Sequence, residues 1–177
     1  MIRKYTLMLI ASCFYLGALA QTSSKTEVAT PELVAQRELT KKDVVESYLQ
    51  IKQALIVSDS LKAASSATQF VNSLTKFKFK KLTLEEMNNA TGTRAALKEL
   101  AKIVSSTHNI TKQRKAFVEM TDHFWKIADK VKPLNTPLFL QMCTMTGETW
   151  VSDQEKIENP VYPKNMLTCG MIKAKLD

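Results

Sequence analysis

Apolar residues recur through the middle of the chain at the three- and four-residue spacing of a helix. Val44, Tyr48, Ile51 and Leu55 form one stripe, which predicts a helix from about Thr40, acting as its cap, to about Val57. Ser58, Asp59 and Ser60 supply a break and a new cap. Beyond them Leu61, Ala64, Ala67, Phe70, Val71 and Leu74 lie on one side of a second helix, whose alanines permit close approach of a neighbour. Thr83 and Glu86 match a capping box, predicting a short helical turn before a break at Gly92. A third helix, over about Thr93 to Ser105, presents Ala96, Leu97, Leu100, Ile103 and Val104. Asn109 is placed to cap a fourth, in which Phe117, Met120, Phe124, Ile127 and Val131 alternate in steps of three and four, the seam of a bundle.

The pattern changes at Pro133. Four of the five prolines, two of the four glycines and four of the eight methionines fall in the last 45 residues. Proline disfavours helix across Pro133 to Pro137 and Asn159 to Pro163, so this tail is predicted to run as turns and short extended pieces. Leu138 to Met142 is apolar enough to dock on the bundle and keep the tail in the same domain. The fold class predicted is all-α: an up-and-down four-helix bundle with an irregular C-terminal tail wrapped on it. Residues 21–39 read as a flexible leader, with a short helix start at Thr30-Pro31-Glu32, and residues 40–177 as the single domain.

The first twenty residues have the pattern of a secretory signal. Arg3 and Lys4 precede an apolar stretch from about Leu7 to Leu19, and Ala18-Leu19-Ala20 gives a small-x-small cleavage site before Gln21. The stretch is too short for a membrane span. Ile10-Ala11-Ser12-Cys13 also resembles a lipobox, but the apolar run continues past Cys13, which favours a soluble periplasmic or secreted product over a lipoprotein. Removing 20 residues from 177 leaves 157, enough for one domain with a core. The net charge of +8 includes Arg3 and Lys4, leaving +6 on the mature chain. Its lysines are scattered, and no nucleic-acid motif accompanies them. Lys76 to Lys81 reads as a solvated helix end, with insertion of Phe77 and Phe79 into an anionic surface as the rarer alternative.

Catalytic motifs are not evident: there is no nucleophile elbow, phosphate loop or His-x-x-x-His, and no base is recognisable near a cysteine. A non-enzymatic role follows as the expectation. The chemistry of the tail lies in sulfur. Cys143-Thr144-Met145 and Met166-Leu167-Thr168-Cys169-Gly170 hold both cysteines that remain after export. In an extended segment, Cys143 and Met145 would project to one side; in a helical turn, so would Met166 and Cys169. Thiolates with thioethers suit Cu(I) or Ag(I). An exported pair of cysteines is equally a candidate disulfide between Cys143 and Cys169. Zinc held by both cysteines with His123 and His108 is a third option, weakened by the absence of close histidine spacing. His123 is retained as an outside ligand, and His108 is expected in solvent. Trp150 reads as an anchor of the tail, with a ring face over Cu(I) as the sharper alternative. Asn159-Pro160 reads as a turn, and Arg114 as a partner for Asp153 or Glu155.

Gln113-Arg114 with Phe117, then Cys143-Thr144-Met145, Trp150, Ser152, Ile157, Asn159-Pro160, Met166 and Cys169-Gly170, occur in an order that resembles a bacterial envelope family known only as a domain of unknown function. That family occurs as small secreted proteins and as the C-terminal appendix of copper/silver efflux adaptor proteins. The resemblance extends over about Val44 to Lys173. Thr144 stands where the family usually has proline, and the run Val161-Tyr162-Pro163-Lys164 departs from its usual aromatic-then-glycine turn. What the resemblance implies is heavy-metal handling in the envelope, with a metal-efflux or other envelope protein as partner. The function expected is therefore binding or buffering of Cu(I) or Ag(I) by Cys143, Met145, Met166 and Cys169. The alternative is a disulfide-stapled periplasmic interaction module with no metal role.

Overall fold

The fold is given by a computed structural model that describes residues 30–177. The export signal, the Cys13 alternative and the leader up to residue 29 lie outside the described residues. Four long helices follow in order: α1 (Pro31–Ile56), α2 (Ser60–Lys76), α3 (Leu84–Ser105) and α4 (Ile110–Val131). Each packs against the next, and α4 returns to α1. Helical packing thus follows the expectation, with two differences at helix ends.

Helix α1 starts at Pro31, whose fixed φ suits a first turn, so residues 31–39 are helical rather than leader. Thr40 lies inside it. Its hydroxyl donates to the carbonyls of Arg37 at 2.8 Å and Gln36 at 3.1 Å, the local bonding that lets threonine sit mid-helix. Helix α3 starts at the Thr83–Glu86 capping box and runs unbroken through Gly92. A lone glycine there costs about 1 kcal/mol relative to alanine, less than is needed to end a helix anchored on both sides.

The breaks after α1 and before α4 are those expected. Ser58 adopts φ 58°, while its N–H reaches the Leu55 carbonyl and the Asp59 N–H the Ala54 carbonyl. These are the two bonds of a Schellman end. Asp59 then caps α2 through the Lys62 N–H at 2.8 Å, and Asn109 caps α4 through Lys112 at 3.0 Å. The link after α2 differs from a solvated helix end. Phe77 and Phe79 are buried while Lys78 and Lys80 are exposed, the period of an extended segment. The two rings meet edge-on at 5.1 Å, and Arg94 lies over Phe79 while donating to the Phe77 carbonyl at 2.9 Å.

The core centres on Tyr48, stacked between Phe124 at 4.3 Å and Phe117 at 5.1 Å. Burying its hydroxyl requires partners, and it has them on both sides. The Val151 N–H donates to it at 3.1 Å, it meets Thr121 Oγ1 at 2.6 Å, and Thr121 donates to the Phe117 carbonyl at 3.0 Å. This chain runs from α1 and α4 into the tail.

The tail corrects the all-α expectation. It is not irregular but forms a three-stranded antiparallel sheet in the order β2-β1-β3. Strand β1 (Leu138–Met142) is central, β2 (Thr149–Ser152) joins it by a hairpin, and β3 (Met171–Leu176) pairs with its other edge. Between β2 and β3 lies one short turn of helix, α5 (Pro163–Met166). Both faces of β1 and β2 are covered, so their side chains do not alternate between apolar and polar. That is why a periodicity argument passes over them. Strand β2 packs on α4 and α1. Residues Pro31–Asp177 accordingly form one compact unit.

Candidate metal centre

Cys143 follows β1 at the root of the hairpin. Its N–H donates to the Glu148 carbonyl and its own carbonyl accepts from the Gly147 N–H, each at 2.9 Å. Gly147 takes φ 83°, the left-handed conformation that closes a four-residue loop of this kind. Residues 144–147 are therefore a turn, not an extended segment. Cys143 points inward with no exposure, and Met145 at the tip is 75% exposed. The two sulfurs do not share a side, contrary to the extended-strand expectation.

Cys169 arrives from the opposite direction. A crossover from β2 covers one face of the sheet and is pinned at several points. Gln141 Nε2 donates to the carbonyl of Gln154 at 2.8 Å, with Lys156 and Glu155 at 3.2 and 3.3 Å. Asn159 accepts the N–H groups of Val161 and Tyr162 at 2.9 and 3.1 Å, and its own N–H reaches the Leu167 carbonyl at 2.8 Å. This is the turn expected at Asn159-Pro160. The Cys169 N–H then donates to the Met166 carbonyl at 3.0 Å, so Met166 and Cys169 sit one turn apart, both half-buried against the core.

These two arms bring the thiols together. Cys143 Sγ and Cys169 Sγ are 3.4 Å apart, and Thr144 Oγ1 lies 3.6 Å from Cys169 Sγ. Both cysteines are free. Two thiolates bound at about 2.3 Å would sit about 3.8 Å apart on a tetrahedral ion, about 4.0 Å on a trigonal one and about 4.6 Å on a linear one. A disulfide requires about 2.05 Å.

Loop 144–148 sets the charge of the site. Burial pushes the Cys143 thiol up, but hydrogen bonds from the Thr146 hydroxyl, the Met145 N–H, Cys169 and the Thr146 N–H outweigh it and hold the pKa below the ordinary cysteine value. A thiolate there has the donors it needs. Glu148 also titrates low: burial opposes this, and the Thr146 and Tyr162 hydroxyls overcome it. Tyr162 donates to Glu148 Oε1 at 2.9 Å, and that bond first, with burial next, raises its own pKa. Sequence reasoning missed Glu148, Tyr162 and Gln141; nothing in their spacing distinguishes them from surface residues.

The supports around the site explain several motif residues. Trp150 is fully buried, its Nε1–H donates to Gln141 Oε1 at 2.6 Å, and its ring lies under Gly170. It is an anchor. Arg114 does not pair with Asp153 or Glu155. Its Nε donates to the Pro160 carbonyl at 2.9 Å, and Nη2 to the Leu55 carbonyl and Ser58 Oγ, each at 2.8 Å. It thus ties the end of α1 and the Asn159-Pro160 turn to α4. Gln113, buried one residue earlier, donates through Nε2 to the carbonyls of Thr107, Ser60 and Val104. Lys52 is buried as well, with Nζ donating to Ser152 Oγ at 2.9 Å.

His123 is half-buried on α4 and His108 is exposed. Among the described residues no group of three or more His, Cys, Asp and Glu side chains converges, so neither histidine joins the cysteines in such a set. Two thiols this close suit a soft cation of low coordination number, and Met166 lies one turn before Cys169. No helix among the described residues is long and apolar enough to cross a membrane.

A family model described as "Protein of unknown function (DUF3347)" matches residues 44–136. That span covers the bundle from the buried part of α1 to the residues just before β1; both thiols lie beyond it. No curated protein and no solved structure matches the chain.

Proposed function

The chain belongs to the DUF3347 family of proteins of unknown function, and from that premise we propose that it is an exported protein that binds or buffers Cu(I) or Ag(I) in the cell envelope, by coordination and without turnover. One observation carries the reading: two free thiols 3.4 Å apart, on two separately braced arms of a folded tail. Cys143 and Cys169 supply the thiolates and Met166, one turn from Cys169, the thioether; Met145, exposed at the loop tip, is left out of the set. The loop donors around Cys143 favour the anionic form that a soft cation needs. Export is supported by the leader sequence. A metal-efflux or other envelope protein as partner rests on the resemblance described above.

The test is protection of the thiols. One equivalent of Cu(I) or Ag(I) added to reduced protein is expected to shield the accessible Cys169 thiol from alkylation, whereas Mg²⁺ leaves it reactive. Unchanged alkylation rates with the soft ions would overturn the assignment.

A second reading has the same geometry behind it. Cys143 and Cys169 are 26 positions apart, and a disulfide closing that loop would stabilise by about 3.5 kcal/mol in the chain-entropy model. The chain would then be a stapled interaction module. Protein taken from its native compartment that resists alkylation until reduced, and carries no metal, would favour the staple.

A further inference from the structure

The two thiols are unequal in access. Cys143 has no exposed surface, while Cys169 is only partly buried. Their sulfurs nevertheless stand 3.4 Å apart, within the separation of about 3–3.5 Å at which reacting atoms are poised for attack. Backbone hydrogen bonds fix both ends of this approach: Cys143 to Glu148 and Gly147, Cys169 to Met166. Thr144 Oγ1 lies 3.6 Å from Cys169 Sγ, and Leu167, two residues before Cys169, is exposed.

We propose that Cys143 and Cys169 form an ordered thiol–disulfide exchange site, in which Cys169 takes an incoming disulfide and Cys143 resolves it. In the first step the Cys169 thiolate attacks one sulfur of an external disulfide. A bond forms between Cys169 and that sulfur, the external S–S bond breaks, and the departing thiolate takes up the proton that Cys169 lost. In the second step the Cys143 thiolate attacks Cys169 Sγ. The Cys143–Cys169 bond forms, the mixed disulfide breaks, and the second external thiol leaves with the Cys143 proton. The external disulfide is reduced to two thiols, and the protein pair is oxidised. Order follows from access: a molecule in solution reaches Cys169 and not Cys143. The consequence, loss of Cu(I) capacity on oxidation, rests on the metal reading; the exchange itself does not.

The experiment uses reduced, metal-free mature protein with glutathione disulfide as probe, acid quenching and peptide mass mapping. The wild-type chain is expected to close to the internal disulfide, with a transient glutathione adduct on Cys169 only. Cys143→Ser should accumulate that adduct, and Cys169→Ser should gain one on Cys143 at least about tenfold more slowly. Adducts appearing first on Cys143 in the wild-type chain, equal rates in the two variants, or a wild-type adduct that never closes would each overturn the proposal. The wild-type quench stands even where a variant fails to fold. Closure without any Cu(I) binding by the reduced form would sink the metal reading alone, and Cu(I) binding without closure would sink the exchange alone.

Discussion

Gly170 is where a single added methyl group would meet the tail's tightest packing. A Cβ at this position would lie 2.9 Å from the Met142 carbonyl oxygen, 3.0 Å from Ile157 Cγ2 and 3.1 Å from Trp150 Cη2, against a comfortable carbon separation of about 3.5–4.0 Å. Two of the three are not free to swing aside. The first is backbone of the central strand, and Trp150 is fully buried with its N–H held by Gln141. Overpacking of this kind costs about 1–3 kcal/mol. A domain of this size loses about 3 °C in Tm per kcal/mol, so Gly170→Ala should unfold about 3–9 °C below wild type. The easiest relief is displacement of the neighbouring Cys169, which would open the sulfur pair and weaken Cu(I) binding. Gly92→Ala is the matched control. Its Cβ meets nothing within 4 Å inside α3, and it should stabilise by about 0.5–1 kcal/mol. The assay is thermal unfolding of the reduced proteins by circular dichroism. A Gly170→Ala protein as stable as wild type would refute the close packing of Trp150 beneath the cysteine arm.

Arg114→Met should cost about 2–3 kcal/mol in urea unfolding, because three carbonyl or hydroxyl acceptors lose a charged donor; Arg114→Lys, a point charge without the fork, should recover only part of it, and full recovery would argue against the geometry. Burial holds the Lys52 ammonium below the ordinary lysine pKa of 10.5, against the pull of Asp153 and Glu158. A charged lysine therefore destabilises the fold at every pH below that lowered pKa, and the penalty fades as pH rises from there toward 10.5. Lys52→Met should accordingly match or exceed wild type by about 1 kcal/mol near neutral pH, with the advantage shrinking toward about pH 10; a lower urea midpoint at neutral pH would contradict this.

The helices were legible because each buries one stripe: Val44, Tyr48, Ile51 and Leu55 are all buried as their spacing requires. Caps at Asp59, Thr83 and Asn109 were legible because a side-chain oxygen preceding an apolar run has few other uses. The start of α1 was not, because Thr40 bonds back to its own helix. The sheet escaped notice for a different reason. Leu138 to Met142 is short and buried on both faces, so it has no period, although Thr149-Trp150-Val151 after a glycine turn carried a strand signal. Tail chemistry was legible as composition, and the adjacency of Cys143 and Cys169 depends on pairings that sequence does not display. Met145 was misplaced since its direction follows from loop conformation, which Gly147 sets. Arg114 suggests carboxylate partners from its charge alone, whereas its fork donates to two carbonyls and a hydroxyl brought together only by tertiary packing.

In the proposed function Cys143 and Cys169 together hold a soft cation. Titration of the reduced protein with Cu(I) against a competing chelator, beside the Cys143→Ser, Cys169→Ser double variant, tests it most directly. One equivalent bound by the wild-type chain and none by the folded double variant is the result predicted. Undiminished binding by the double variant, or no binding by the reduced wild-type chain, would contradict it.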